Sequence, residues 1–170
     1  MTGNPPNQQP IISLGLSPVL VAVELLGAIA ILLAVLLIVK FWAVLPDQIP
    51  IHFGLGGLAD AWGDKVTIWI LPAVAAIIFA VLTAISRYPH TCNYPVRITS
   101  DNARRQYLLG RGLLVWLKAE ICWLLAFVVR QQILVALGNA PRLSMELLLG
   151  LVVLMFGTVG VYLLKAYLAR

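Results

Sequence analysis

Four apolar runs, at residues 17–41, 66–86, 109–132 and 146–168, constrain this chain more than any other feature. A helix rises about 1.5 Å per residue, so about 20 apolar residues cross a hydrocarbon core of about 30 Å. Only 11% of the residues are charged and 61% are hydrophobic; ordinary soluble domains carry about 25% charge. A soluble chain of 170 residues has no interior large enough to hide that much apolar surface. The bilayer is therefore its natural solvent. The expected fold is an all-α integral membrane protein, a bundle of about four transmembrane helices with one structured extracytoplasmic loop.

The runs carry local signals for their ends. Residues 1–16 include the polar stretch MTGNPPNQQP and are expected to form a disordered tail. No basic segment precedes the first run and no small-residue cleavage site follows it, so it is read as a retained span. Ser17 suits the N-cap, and Pro18 suits the first helical position, where a missing N–H costs nothing. Pro72 lies inside the second run and is expected to kink it. Thr99 or Ser100 is placed to cap a helix starting near Asp101 and continuing through Leu137, until Gly138, Asn139 and Pro141 end it. Ala76, Ala80 and Ala84, and separately Gly150, Gly157 and Gly160, suggest faces for close helix packing. Cys92 and Cys122 fall at different depths and are not expected to pair.

Charge sets the orientation. Arg87, Arg97, Arg104 and Arg105 crowd the connector at residues 87–108, and Lys165 and Arg170 close the chain. The opposite side holds Lys40, Lys65, Arg130 and Arg142. The basic bias places the connector and both termini in the cytoplasm and the loop at 42–65 outside. It also explains the +5 net charge without a nucleic-acid partner. Arg97, Arg104 and Arg105 are the expected contacts to anionic lipid or a cytoplasmic partner. Glu24, Arg111, Lys118 and Glu120 fall within the runs, where an unpaired charge is costly, so each needs protein, water or a partner. Glu24 can pair with Lys118 or with Arg111. Arg104, Arg111 and Lys118 recur every seven residues on one face. Such a face serves either as a polar path or as structural glue.

The loop LPDQIPIHFGLGGLADAWGDK invites sharper readings. Its GLGGLA formally fits a dinucleotide fingerprint, but the required strand before it and crossover helix after it are replaced by membrane spans. Asp47, His52, Asp60 and Asp64 offer a nitrogen and several oxygens. One histidine, no cysteine and no helical histidine pair argue against a metal centre, for which His52 and Asp60 would be the candidate ligands. Neither a GxSxG elbow nor an HExxH motif is present, so no catalytic residue and no cofactor are expected. Pro46 and Pro50 keep the chain extended, and Ile49 to Phe53 reads as a short strand-like segment. Alternation would put Ile49, Ile51 and Phe53 on one side and Pro50 and His52 on the other. Asp47, His52, Asp60 and Lys65 are the candidate ligand- or partner-binding residues.

Leu45, Pro46, Ile49, Pro50, His52, Phe53, Gly57, Asp60, Gly63 and Lys65 fit a pattern LPxxIPxHFxxxGxxDxxGxK. This resembles the signature of a bacterial membrane domain of unknown function, related to the N-terminal part of SdpI-type toxin-immunity proteins. Pro72 and the later stretch from Asn93 to Tyr107 (NYPVxITxxNAxxQY) extend the likeness. Gly54 and Asp64 depart from the pattern, which usually has a polar and a small residue there. The additional C-terminal membrane region of the longer immunity proteins is not found. The resemblance implies a small protein of the bacterial cytoplasmic membrane. Its expected role is non-enzymatic: sensing, signalling or immunity against membrane-active peptides through the external loop. Expected partners are the bilayer and a peptide or another membrane protein, with homo-oligomerisation compatible. The alternatives are a small transporter or ion-handling component using Glu24, Lys118 and Glu120, or an accessory subunit of a larger membrane complex.

Overall fold

A computed structural model describes residues 9–15 and 17–170. Four helices carry it: α1 (Pro18–Phe41), α2 (Ile70–Ser86), α3 (Ala103–Ala136) and α4 (Met145–Leu168). All are long and apolar enough to cross a membrane, α2 when counted with the 3₁₀ turn Lys65–Trp69 that leads into it. The fold is not purely helical. The loop between α1 and α2 folds into an antiparallel hairpin, β1 (Gln48–Phe53) and β2 (Ala59–Asp64).

The 34-residue α3 is the spine. α1 presents Val23, Gly27, Ala30, Ala34 and Ile38 to the interior. Small residues on that stripe let two backbones approach closely. A Cβ on Gly27 would lie 3.2 Å from both the Ala119 backbone and the Phe79 ring. Ala30, Ala34 and Ile38 continue the seam against a core containing Cys122, Ala126, Val129 and Ile133 of α3. The small-residue seam is therefore on α1, not where alanine and glycine spacing suggested. Ala76, Ala80 and Ala84 are exposed, because α2 turns Pro72, Ala75 and Ser86 inward instead. Gly150, Gly157 and Gly160 face open space, with nothing within 4 Å of an added Cβ. α4 packs chiefly on α3 and buries only Ala166.

The helix ends follow backbone chemistry with two changes. Ser17 holds the N-cap position and Pro18 is at N1, but the serine side chain makes no capping bond. Pro72 falls in the first turn of α2, where no intrahelical donor is required. The expected kink is thus replaced by a 3₁₀-to-α change. Asp64 starts the 3₁₀ turn, its side chain accepting from the Val66 N–H at 2.8 Å. At α3, Thr99 and Asn102 cap each other reciprocally: Thr99 N–H donates to Asn102 Oδ1 at 2.9 Å and Asn102 N–H to Thr99 Oγ1 at 3.3 Å. The helix therefore begins at Ala103 rather than near Asp101.

The expected disordered tail lies partly outside the described residues. Within 9–15 the chain is held. Gln9 Nε2 donates to the Cys92 carbonyl at 3.1 Å, and the Tyr107 hydroxyl donates to the Pro10 carbonyl at 2.9 Å. Gln106 Nε2 bonds the carbonyls of Ala166 and Ala169, closing α4 onto the start of α3. Tyr94 lies on Gly110, where a Cβ would come within 2.9 Å of its ring. Burial, with Cys92 adding to it, lifts the Tyr94 hydroxyl well above the usual phenol range, so it stays a donor to the Pro89 carbonyl at 2.9 Å.

The hairpin is docked on the bundle end formed by the C-terminal half of α3. Leu45, Ile49 and Ile68 join the core cluster of α1 and α3. Gln132 of α3 donates to the Pro50 carbonyl at 2.9 Å. Leu143 N–H donates to the Gly57 carbonyl at 2.8 Å, and Gly57 has φ +76° with the Leu143 oxygen against the place where a Cβ would stand. Gly57→Ala is expected to destabilise the folded protein by about 1–3 kcal/mol through backbone strain and lost docking. Gly56→Ala, with open space at its Cβ, is the near-neutral control. Thermal unfolding in detergent of the two variants checks this.

Candidate functional site

Simple alternation does not survive in β1. Ile49 pairs with Gly63 and Pro50 with Trp62, but His52 then pairs with Ala61 and Phe53 with Ala59. Ile51 and Asp60 are the unpaired residues of two compensating irregularities. The consequence is that Ile49 and Pro50 are both buried, whereas Ile51 and His52 are both exposed. Ile51 folds over the partner strand, its branched end within 3.0 Å of where a Gly63 Cβ would stand. Glycine at 63 is what lets that side chain lie down.

The same irregularity brings His52 against Asp60. The His52 Nδ1 and Asp60 Oδ1 atoms are 2.5 Å apart, and the side chains are 69% and 52% exposed. Gly54 makes room for the carboxylate: a Cβ there would lie 3.1 Å from Asp60 Oδ2. An aspartate holding Nδ1 fixes the imidazole and leaves Nε2 to meet a ligand. No third ligand joins them; among the described residues no group of three His, Cys, Asp or Glu side chains could hold a metal. The same hairpin and its turn also expose Ile51, Leu55, Leu58 and Trp62, Leu55 being 97% exposed.

The other two loop candidates do different work. Asp47 and Lys65 form an ion pair at 3.3 Å across the base of the hairpin, and Lys65 Nζ lies 5.4 Å from the Trp42 ring centre. Trp42 in turn meets Trp69 at 6.1 Å. Asp47 and Lys65 thus close the hairpin base rather than join His52 and Asp60.

Inside the bundle, Lys118 is fully buried. Its ammonium donates to Glu24 at 2.9 Å and meets the Thr83 hydroxyl at 2.7 Å, with the Phe79 ring centre 4.4 Å away. One residue from each of α1, α2 and α3 therefore meets at one charge. Arg111 takes no part: it donates to the Gly15 carbonyl at 3.4 Å instead of pairing with Glu24. Nor do Arg104, Arg111 and Lys118 make a continuous path, because Lys118 is closed off while Arg104 is exposed. Glu120 points elsewhere on α3, accepting from Thr158 of α4 at 2.6 Å. Its second oxygen has no partner among the described residues. Arg97, Arg104 and Arg105 are exposed at the far end and form no ion pair among the described residues.

Sequence reading missed two structural glutamines, Gln106 and Gln132, which tie α3 to α4 and to the hairpin. A polar amide at the ends of an apolar run was the available signal. Lys118 is fully buried and Glu24 is 32% exposed, so removing the glutamate leaves a buried uncompensated charge, at a cost of up to about 3–5 kcal/mol, and removing the lysine costs less. Glu24→Gln is expected to destabilise strongly and Lys118→Met less so. The double variant is expected to lose less than the sum, which a double-mutant cycle of thermal unfolding in detergent reads directly.

The family model described as "Domain of unknown function (DUF1648)" matches residues 29–76. That segment runs from within α1 through the hairpin to the first turns of α2. A protein of Archaeoglobus fulgidus, described as "Uncharacterized protein", is 38% identical over 98 residues, covering 51% of this chain and 54% of its own length. The chain thus spans about half the length of that curated relative. No solved structure matches. What the comparisons attach to this chain is a domain of unknown function, centred on the hairpin and the helices that hold it.

Proposed function

We propose that this is a multi-pass membrane protein whose hairpin faces outside the cytoplasm and binds a ligand there, without catalysing a reaction. The single observation that carries this is the docked hairpin's outer face. The exposed His52–Asp60 pair stands among exposed Ile51, Leu55, Leu58 and Trp62. A polar pair sharing an exposed hairpin with apolar side chains suits an amphipathic peptide or the interfacial part of another membrane protein. The outward faces of α1, α2 and α4 are lined with aliphatic side chains and α3 exposes Leu108, Trp116 and Trp123, which supports insertion in a bilayer.

Six basic residues — Arg87, Arg97, Arg104, Arg105, Lys165 and Arg170 — gather at the end opposite the hairpin. They support a cytoplasmic position for that end and for both termini. The resemblance of the hairpin to the N-terminal part of SdpI-type proteins favours sensing of, or immunity to, membrane-active peptides. The relative from Archaeoglobus fulgidus is archaeal, so assignment to a bacterial membrane rests on that resemblance alone. Against ion handling stands Lys118, which is fully buried and held by Glu24, Thr83 and Phe79, the arrangement of a lock between helices.

In a Cys92→Ser background, Leu55→Cys is expected to react with a membrane-impermeant maleimide on intact cells, and Arg97→Cys only after lysis. The reverse pattern would invert the orientation. Cells making the protein are expected to survive membrane-active peptides better than cells without it, and His52→Ala or Asp60→Asn to remove the gain at unchanged protein level. Equal sensitivity with and without the protein would sink immunity. Ion flux in proteoliposomes that Glu24→Gln abolishes would favour the transporter.

A further inference from the structure

An open groove of about 970 Å³ runs along α3, between α1 on one side and α4 on the other. Its wall is almost wholly apolar, with Leu113, Trp116, Leu154 and Val161 among the lining side chains. Along α3 it extends from Leu108 to Trp123, about 22 Å at helical rise. One leaflet of a bilayer offers about 15 Å of hydrocarbon, half of a core of about 30 Å. Gly112 and Gly157 both line the groove, and a Cβ added to either meets nothing within 4 Å. These glycines keep space open rather than bring helices together. The Thr158–Glu120 bond, at 2.6 Å, ties α4 to α3 along the groove and helps fix its width.

One end of the groove is charged. Lys165 lines it, and Arg104 and Arg105 precede Leu108 and Leu109 by one helical turn on the same face. The Gln106 bonds to Ala166 and Ala169 bring the two helix ends together there, with Arg170 following. None of these four cations has a carboxylate partner among the described residues, and the nearby Asp101 is bonded to Ser100. An apolar channel longer than one leaflet, ending in cations that have no carboxylate partner among the described residues, is complementary to an amphiphile with an anionic head.

We propose that the groove binds one anionic phospholipid. Its acyl chain lies along α3 past Gly112 and Gly157, and its phosphate meets Arg104, Arg105 and Lys165. This rests on the membrane insertion proposed above and not on which face is cytoplasmic. A second copy is a poorer occupant. Two copies in one membrane share an orientation, so a dimer across this groove would press both sets of cations together, at a repulsive cost.

Native mass spectrometry of the full chain, released from nanodiscs of equal phosphatidylglycerol and phosphatidylethanolamine, tests the site. Retention of a single phosphatidylglycerol in preference to phosphatidylethanolamine is expected. Arg104→Gln and Lys165→Gln should each lower that retention about fivefold, the effect of one cation near an anionic surface. Gly112→Leu and Gly157→Leu, whose Cβ atoms enter open space and whose side chains add bulk to the groove, should displace the lipid while thermal unfolding remains cooperative. Equal retention of both lipids, retention unchanged in the filled variants, or a lipid-free dimer would each overturn the proposal. Resistance of the same protein to carbonate extraction reports membrane insertion separately, so failure of the lipid site and failure of the membrane reading are distinct results.

Discussion

A lysine without water organises the core of this molecule. Lys118 sits on the longest helix with no exposed surface, and its charge is met by Glu24 of α1 and Thr83 of α2. In an apolar medium such a charge has nowhere else to go, so the three helices are fixed in rotation and depth relative to one another. The small residues of α1 then permit the close approach that the ion pair requires, with Gly27 seated against Ala119 and Phe79. α4 stands outside this arrangement. It is joined to α3 through Thr158–Glu120 and the Gln106 bonds, and its glycines touch nothing.

The hairpin inherits its position from that core. Ile49 and Pro50 are buried together because the strand is irregular at Ile51, and Gln132 and Leu143 then take up hairpin carbonyls. The irregularity that anchors one side of β1 turns His52 outward on the other, against Asp60. Docking and presentation are thus one event: the residues that hold the cap down also aim its exposed pair. The fixed positions of the loop pattern divide the same way. Gly57, Gly63, Ile49 and Pro50 serve packing, Lys65 closes the base, and His52 with Asp60 stands exposed on the outer side.

Much of this was legible in the sequence. Run lengths placed α1, α2 and α4 to within a few residues and the transmembrane part of α3 inside a longer helix, and the cost of intramembrane charge pointed to Glu24 pairing with either Lys118 or Arg111. Small-residue spacing failed, because Ala76, Ala80 and Ala84 form as regular a stripe as Gly27, Ala30 and Ala34, and spacing alone does not say which stripe meets a neighbour. Strand alternation failed at Ile51, because a bulge depends on the partner strand and leaves no periodic trace. The joining of His52 to Asp60 was out of reach for the same reason: it follows from register, which the pattern of side chains alone does not set.

The central claim is that the hairpin is a rigid cap seated on the Lys118-locked core, rather than a loop hanging from two helices. Hydrogen–deuterium exchange of the protein in nanodiscs tests it most directly. The account predicts slow exchange for the amides that hold the cap, those of Gly54, Lys65 and Leu143, whose hydrogen bonds to Leu58, Asp47 and Gly57 are 2.8–2.9 Å long. Lys118→Met should accelerate them together. Exchange of those amides at the rate of an unstructured chain in the wild-type protein would contradict it.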